Sequence, residues 1–558
     1  MLKNRLLLIL PILVALQITP SGACTNFLIT RGATKDGSSM ITYAADSHVL
    51  YGELYYWPAA DYPDGAMLDV VEWDTGKYMG KIPQVKHTYQ VTGNMNENQV
   101  AIGETTYGGR KELATQKDAL VDYGSLIYIS LQRSKTAREA ITVMTDLVKN
   151  FGYASSGESF SISDANEVWI LEMIGKGEGQ KGAVWVAMRI PDGYISGHAN
   201  QARITQFPLN DPKNCLYATD VISFAREKGW FDGKNQDFSF SDTYAPVDFS
   251  SARFCDARVW AGFNKVNKQM KQYESYAMGK VTYDGNKYAT NRMPLWIKPD
   301  SLLSVKDVMN MMRDHYEGTE LDMTKDPGTG PFGSPYRWRP MTWKVDSVSY
   351  VHERAISTQQ TGFSFVAQSR PNLPNPIGGI LWFGLDDTYL TCYMPIYCGI
   401  KQVPNSVKVG DGDMLTWSDN SAFWVFNQVS NQVYTRYSDM IVDLQKVQSQ
   451  LENKFFNLTP VVDQAALTLW NKGEKELALQ YLTDYSVNQV ETSVAKWRDL
   501  GHFLLIKYKD GNVMIEKDGK FERNESGIVP ASPLHPAYPD WYYRQIIEKN
   551  KAHFMEVK

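Results

Sequence analysis

Residues 1–25 constrain this chain more than any later stretch. A basic start (Lys3, Arg5) runs into an apolar segment from Leu6 to Ile18, interrupted by Pro11 and Gln17, and then into Ser21-Gly22-Ala23-Cys24-Thr25. Charge, apolar run and small residues at Ser21 and Ala23 make the pattern of a secretory signal peptide read by a peptidase after Ala23. Residues 1–23 are therefore expected to be removed, leaving Cys24 first in the mature chain. An α-amine and a thiol on one residue form a compact base-and-nucleophile unit. A lipoprotein signal also places cysteine first. It wants an aliphatic residue where Ser21 stands, and it would acylate the amine.

Export permits disulfides. The chain has five cysteines, at 24, 215, 255, 392 and 398. If the last four pair, three connectivities are open and Cys24 is the odd one left free. No cysteine spacing resembles a zinc site, so neither a metal nor a cofactor is expected. The 57 Lys and Arg face 62 Asp and Glu, and the leader takes two of the cations with it. That balance does not favour nucleic acid or an anionic membrane as partner. No stretch after the leader approaches the apolar length of a transmembrane helix, so the mature chain is expected outside the membrane, in the periplasm or medium of a bacterium.

Strand patterns open the mature chain: Thr25 to Thr30 and Ser39 to Ala44, turning at Lys35-Asp36-Gly37, which puts Cys24 at one end of a hairpin and Asp46 just past the other. Val85 to Val91 and Gln99 to Glu104 read as a second pair, delivering Glu104 to a polar strand end. A helix is expected from about Ser134 to Asn150, with Ile141, Met144, Leu147 and Val148 on one stripe and Gly152 as its stop. Ser159 to Ser163, Val168 to Met173 and Val184 to Arg189 read as strands, followed by a segment dense in hydrogen-bonding side chains that holds His198 and Asn200. Weak helical pieces fill 219–269. Ser304 and Asp307 then mark a capped helix with a methionine stripe, and 318–341 reads as a long ordered loop. Strands resume at Ser347 to Val351, Thr361 to Gln368, Gly379 to Gly384 and Leu390 to Ile396. From Leu415 to about Trp497 the pattern is helical with a break at 457–460. A hairpin is expected from Leu504 to Glu516 and a last helix from about Asp540. The division is residues 1–23 as leader, 24–403 as catalytic domain and 404–558 as a mostly helical extension packed on the core.

Several of these segments together resemble peptidase family C69, dipeptidases of the N-terminal nucleophile (Ntn) hydrolase superfamily. They are CTNFLITRGATKDGSSMITYAADSH (24–48), NENQVAIGETT (96–106), SDANEVWILE (163–172), VAMRIPDGYISGHANQARI (186–204), SVKDVMNMMRDHYEGT (304–319) and ERAISTQQTGFSFVAQ (353–368). The resemblance implies an α+β fold, a four-layer αββα sandwich, and hydrolysis of dipeptides or short peptides by a mature N-terminal cysteine. A related superfamily pattern sets Arg-x-x-Asp near the nucleophile; here Asp46 matches and Tyr43 stands in the arginine's place. The wider superfamily also implies an oxyanion-binding asparagine, matched by Asn200, and a later supporting arginine, matched by Arg258.

The expected catalytic set is thus Cys24, Asp46 and Asn200. Glu104 and Glu172 are candidates to meet a substrate ammonium, and Arg258 is a candidate support at the binding site. Two readings compete with a dipeptidase: an amidase for N-acylated amino acids or bile-salt-like conjugates, and a binding protein on the same scaffold. Nothing in the sequence decides between a monomer and a homo-oligomer.

Overall fold

A computed structural model describes residues 24–114, 116–555 and 557. The expected leader, 1–23, lies outside the described residues.

Two antiparallel sheets organise the molecule. Their strands, in chain order, are β1 (Asn26–Ile29), β2 (Ser39–Asp46), β3 (Tyr56–Trp57), β4 (Val91–Thr92), β5 (Met95–Asn96), β6 (Ala101–Tyr107), β7 (Gly157–Ser163), β8 (Val168–Gly175), β9 (Ala183–Arg189), β10 (Ile195–His198), β11 (Cys215–Tyr217), β12 (Trp296–Ile297), β13 (Thr361–Ser369), β14 (Gly379–Leu385) and β15 (Met394–Tyr397). The first sheet has seven strands in the order β12-β10-β1-β2-β13-β14-β15, and the second has eight, β11-β9-β8-β7-β6-β5-β4-β3. β2 and β13 are buried along their whole length, as strands covered on both faces must be. One apolar core includes side chains of both sheets, among them Phe27, Ile41, Ala101, Ile170 and Val186.

Helices α1 (Tyr123–Arg133) and α2 (Ala137–Phe151) close a separate core on the second sheet, with Ile102, Phe160, Ile162 and Trp169 facing Leu126, Ile141 and Met144. Asp122 caps α1 through the Ser125 N–H at 2.9 Å, and Thr136 caps α2. Gly152, at φ 79°, supplies the left-handed turn that ends α2. Helix α3 (Ala257–Val266) packs beside α4 (Val305–Met312), which lies against β2 and β13. The Ser304–Asp307 spacing forms a reciprocal capping box at the start of α4. Three long helices, α5 (Ala422–Thr435), α6 (Tyr437–Asn471) and α7 (Lys475–Tyr508), pack on one another, with α6 and α7 also on β15 and α5 on β14. A last helix, α8 (Asp540–Asn550), has no buried residue.

Some sequence expectations are corrected. α1 was not expected, because its buried positions run unbroken from Gly124 to Leu131 and leave no 3.6-residue stripe to read. The break expected at 457–460 is absent: α6 runs through Pro460, with Phe455, Thr459, Val462 and Ala466 buried on either side of it. Packing of that face outweighs the one hydrogen bond that proline removes. Leu504 to Tyr508 is helix, not strand, because Leu500, Leu504 and Tyr508 are buried at four-residue spacing while Leu505 and Ile506 face solvent. The last strand of the first sheet starts at Met394, not Leu390. All five cysteines are free thiols.

Candidate active site

Thr25 pairs with Ala44 across an antiparallel bridge, so Cys24 enters β1 beside the end of β2, where Asp46 stands. Cys24 is buried, 5% exposed. Its sulfur lies 3.8 Å from Tyr43 Oη and 3.6 Å from Glu104 Oε1. Burial pushes the thiol well above its ordinary range, and the Glu104 and Asp46 carboxylates push it further in the same direction. The resting group is therefore a neutral thiol that needs a proton acceptor to become a nucleophile.

Arg258, on α3, is buried and fixes the residues around the sulfur. One guanidinium nitrogen donates to the Cys24 carbonyl at 2.5 Å and to Thr25 Oγ1 at 2.8 Å; the other donates to the Ala199 carbonyl at 3.0 Å and to Asn200 Oδ1 at 2.7 Å. Burial and the charge of Arg354 bring its pKa down to about 10, which leaves it cationic at neutral pH. Because Oδ1 of Asn200 accepts a hydrogen bond from Arg258, the orientation of the amide is set, and Nδ2 donates to the Thr106 carbonyl at 2.6 Å. Asn200 adopts φ 64° just beyond β10, the left-handed region that asparagine tolerates better than most residues.

Asp46 accepts from Arg354 Nη2 and from Thr361 Oγ1, both at 2.6 Å. Burial lifts its carboxyl above the usual carboxylate range despite these partners. Tyr43, standing where the superfamily pattern has arginine, brings no cation to Asp46. The cation beside Asp46 is Arg354, inside the quoted 353–368 segment but not singled out there. Tyr43 itself donates to Glu104 Oε1, its ring held edge-on between Phe363 and Phe365. On β1, Asn26 joins its amide to the backbone N–H and C=O of Glu104 and to Ser161 Oγ, with the amide turned to satisfy both ends.

Among the candidate residues, Cys24, Asp46, Glu104, Asn200 and Arg258 are thus joined around one point. Glu172 is placed differently. Its two oxygens accept the backbone N–H groups of Arg203 at 2.5 Å and Ile204 at 3.0 Å, and burial lifts its carboxyl to about 7. It ties down the chain leaving β10, and no hydrogen bond joins it to Cys24 among the described residues. Tyr55, Trp57, Trp73, Tyr128 and Phe363 form a continuous run of ring contacts on the Tyr43 side. Among the described residues, no cluster of three or more His, Cys, Asp or Glu is arranged to hold a metal, and no helix is long and apolar enough to cross a membrane.

Comparison with known proteins adds a family. The family model described as peptidase family C69 matches residues 53–450. A probable dipeptidase of Latilactobacillus sakei is 24% identical over 452 residues, covering 77% of this chain and 85% of that protein. A probable dipeptidase of Salmonella dublin is 24% identical over 400 residues, covering 68% and 82%. Probable dipeptidase A of Streptococcus pyogenes serotype M3 is 23% identical over 508 residues, covering 85% and 96%.

Proposed function

Because the chain belongs to peptidase family C69, we propose that it is an exported cysteine-type dipeptidase built on the four-layer αββα sandwich of the Ntn hydrolases. The observation that carries this reading is the fixing of Cys24: Arg258 holds its carbonyl and the Asn200 amide in one fork. A nucleophile at a frayed terminus would have no defined geometry; here the backbone on its C-terminal side is pinned.

In this reading, removal of residues 1–23 frees the α-amine of Cys24. That amine, with an ordinary pKa of about 8, takes the thiol proton directly or through a water. Asp46 accepts a hydrogen bond from the amine while Arg354 keeps its carboxylate in place. The thiolate attacks the scissile carbonyl, and Asn200 Nδ2 with a backbone N–H meets the oxyanion of the tetrahedral intermediate. The ammonium then protonates the leaving amine, and water hydrolyses the thioester.

Glu104, 3.6 Å from the sulfur, is the carboxylate within reach of a substrate's free α-ammonium. Glu172 is engaged with backbone N–H groups instead. Restriction to short, unblocked substrates follows from a buried anion that must be neutralised when the peptide binds.

The test has two parts. Intact mass and N-terminal sequencing of the exported protein are expected to return a chain starting at Cys24 with an unmodified amine. Purified wild type is expected to cleave unblocked dipeptides but not their N-acetylated forms, and Cys24→Ala to lose at least about 10³-fold of that activity. Full activity in the alanine variant, or cleavage of the acetylated set alone, would overturn the dipeptidase reading.

A further inference from the structure

Glu104 has a second acidic neighbour, which the mechanism above leaves unused. Thr106 of β6 pairs with Glu158 of β7, and Glu104 pairs with Phe160. Glu104 and Glu158 therefore sit diagonally on the same face of the second sheet. Both side chains are essentially inaccessible, at 1% and 0% exposure. One oxygen of each is served by a donor: Tyr43 and the Cys24 thiol reach Glu104 Oε1, and Thr106 Oγ1 donates to Glu158 Oε1 at 2.7 Å. The second oxygen of each, Oε2, is buried and has no donor among the described residues. Long side chains at diagonal positions on one sheet face come within reach of each other, so the two unserved oxygens belong to neighbouring buried carboxyl groups.

Two ionised carboxylates in contact inside a protein repel strongly, whereas one proton between them removes the repulsion and satisfies both oxygens. The surroundings reinforce this. Tyr43 and Cys24 face the pair from the first sheet, Tyr123 and Tyr128 from α1, Tyr153 from the segment after α2, and Asp74 from the loop beyond Val71; Asp46 faces the thiol. Each of these groups is neutral or negative, so a second negative charge on the pair gains nothing from them.

We propose that Glu104 and Glu158 hold one proton between them, with Glu158 the acid that donates to Glu104 and so limits the pair to a single negative charge beside the Cys24 sulfur. Glu158 touches neither the thiol nor the reacting atoms and is a positioning residue acting through Glu104. Burial and the neighbouring Glu104 both raise the Glu158 carboxyl well above its ordinary range, in keeping with its being the protonated member. One charge on the pair matches one α-ammonium, and this last consequence alone rests on the dipeptidase reading.

The test reads the thiol without a substrate. Alkylation of Cys24 by iodoacetamide is followed against pH, with the Cys24 peptide quantified by mass spectrometry so that the other four thiols do not contribute. In wild type the thiol proton and the shared proton leave against each other, giving a broad curve displaced to high pH. In Glu158→Gln the side-chain amide donates permanently to Glu104, so the curve is expected to narrow and its midpoint to fall by about 1 pH unit. The infrared difference spectrum, wild type minus variant at neutral pH, is expected to contain one protonated-carboxyl band. Superimposable alkylation curves, or a difference spectrum without that band, would overturn the shared proton. Should Glu158→Gln not fold, Glu104→Gln replaces it: with a shared proton the curve narrows as its midpoint falls, whereas a lower midpoint at unchanged width (two fixed anions) or an unchanged curve (no anion) would overturn the proposal. Failure of wild type to cleave any dipeptide would remove the peptidase reading while both of these measurements still decide the proposal.

Discussion

At the scale of single residues, Asn200 is the group whose contribution is most separable. Its oxygen is held by Arg258 and its nitrogen by the Thr106 carbonyl, so Asn200→Ala removes a preorganised donor without touching the nucleophile. The expected result in steady-state assays is a fall in kcat of about 10²- to 10³-fold with little change in KM; an unchanged kcat would remove Asn200 from the oxyanion role. Cys24 drew notice in the sequence because a cleavage signal and a thiol coincide there, Asp46 and Asn200 because they lie in segments that resemble the family, and Arg258 only by its distance along the chain; their nearness to Cys24 is what the fold adds. Arg354 was not readable. Its partner Asp46 lies 308 positions away along the chain, and nothing local marks an arginine that will be buried against a carboxylate. Glu158 was hidden for a related reason: a glutamate at the start of a strand next to glycine looks solvent-facing until the neighbouring strand is in place.

At the scale of elements, His198 couples the two sheets. It lies at the end of β10 in the first sheet and is bonded to Thr105 Oγ1 of β6 at 2.8 Å and to Ser161 Oγ of β7 at 2.7 Å in the second. Burial pushes its pKa from 6.5 down to about 3. The unfolded chain therefore binds the proton more readily than the folded one between those values. The contribution is full above pH 6.5 and is lost as pH falls toward 3, up to about 5 kcal/mol. Glu172 runs the other way: raised from 4.5 to about 7, it favours the folded state below pH 4.5 and loses about 3 kcal/mol as pH rises to 7. The two slopes oppose each other between pH 4.5 and 6.5, and below 4.5 only that of His198 remains. Denaturant melts at pH 7, 5.5, 4.5 and 3.5 are expected to show a steep loss of stability in wild type below pH 4.5 and a shallower one in His198→Gln. Parallel curves would exclude His198 as the source. The strands of these sheets were largely legible, because turns and apolar runs bound them. Helix α1, buried almost all round, and the proline-bearing α6 were not, since in both tertiary packing decides against the local signal.

For the whole molecule, α5–α7 are load-sharing parts of the core rather than an appendage. Arg313 at the end of α4 pairs with Glu452 of α6, Arg370 beyond β13 pairs with Asp463, and Phe426 of α5 stacks on Trp497 of α7. Residues 537–558, by contrast, include α8 with no buried side chain. Deleting 537–558 is expected to leave peptidase activity intact and the melting temperature within about 2 °C, whereas ending the chain after Asn420 yields insoluble protein. A large loss of stability from the short deletion would contradict this ranking of the two regions. The α+β class came with the family resemblance, and the sheet order could not be read at all, because β2 pairs with β1 on one side and with β13, more than 300 residues later, on the other. That pairing has a temporal meaning for the cell. A ribosome makes Cys24 and Asp46 almost at once, Arg258 only after a further two hundred residues, and Arg354 later still. A nascent chain halted before residue 354 carries the Cys24 thiol and Asp46 without the cation that pairs with that acid in the finished fold.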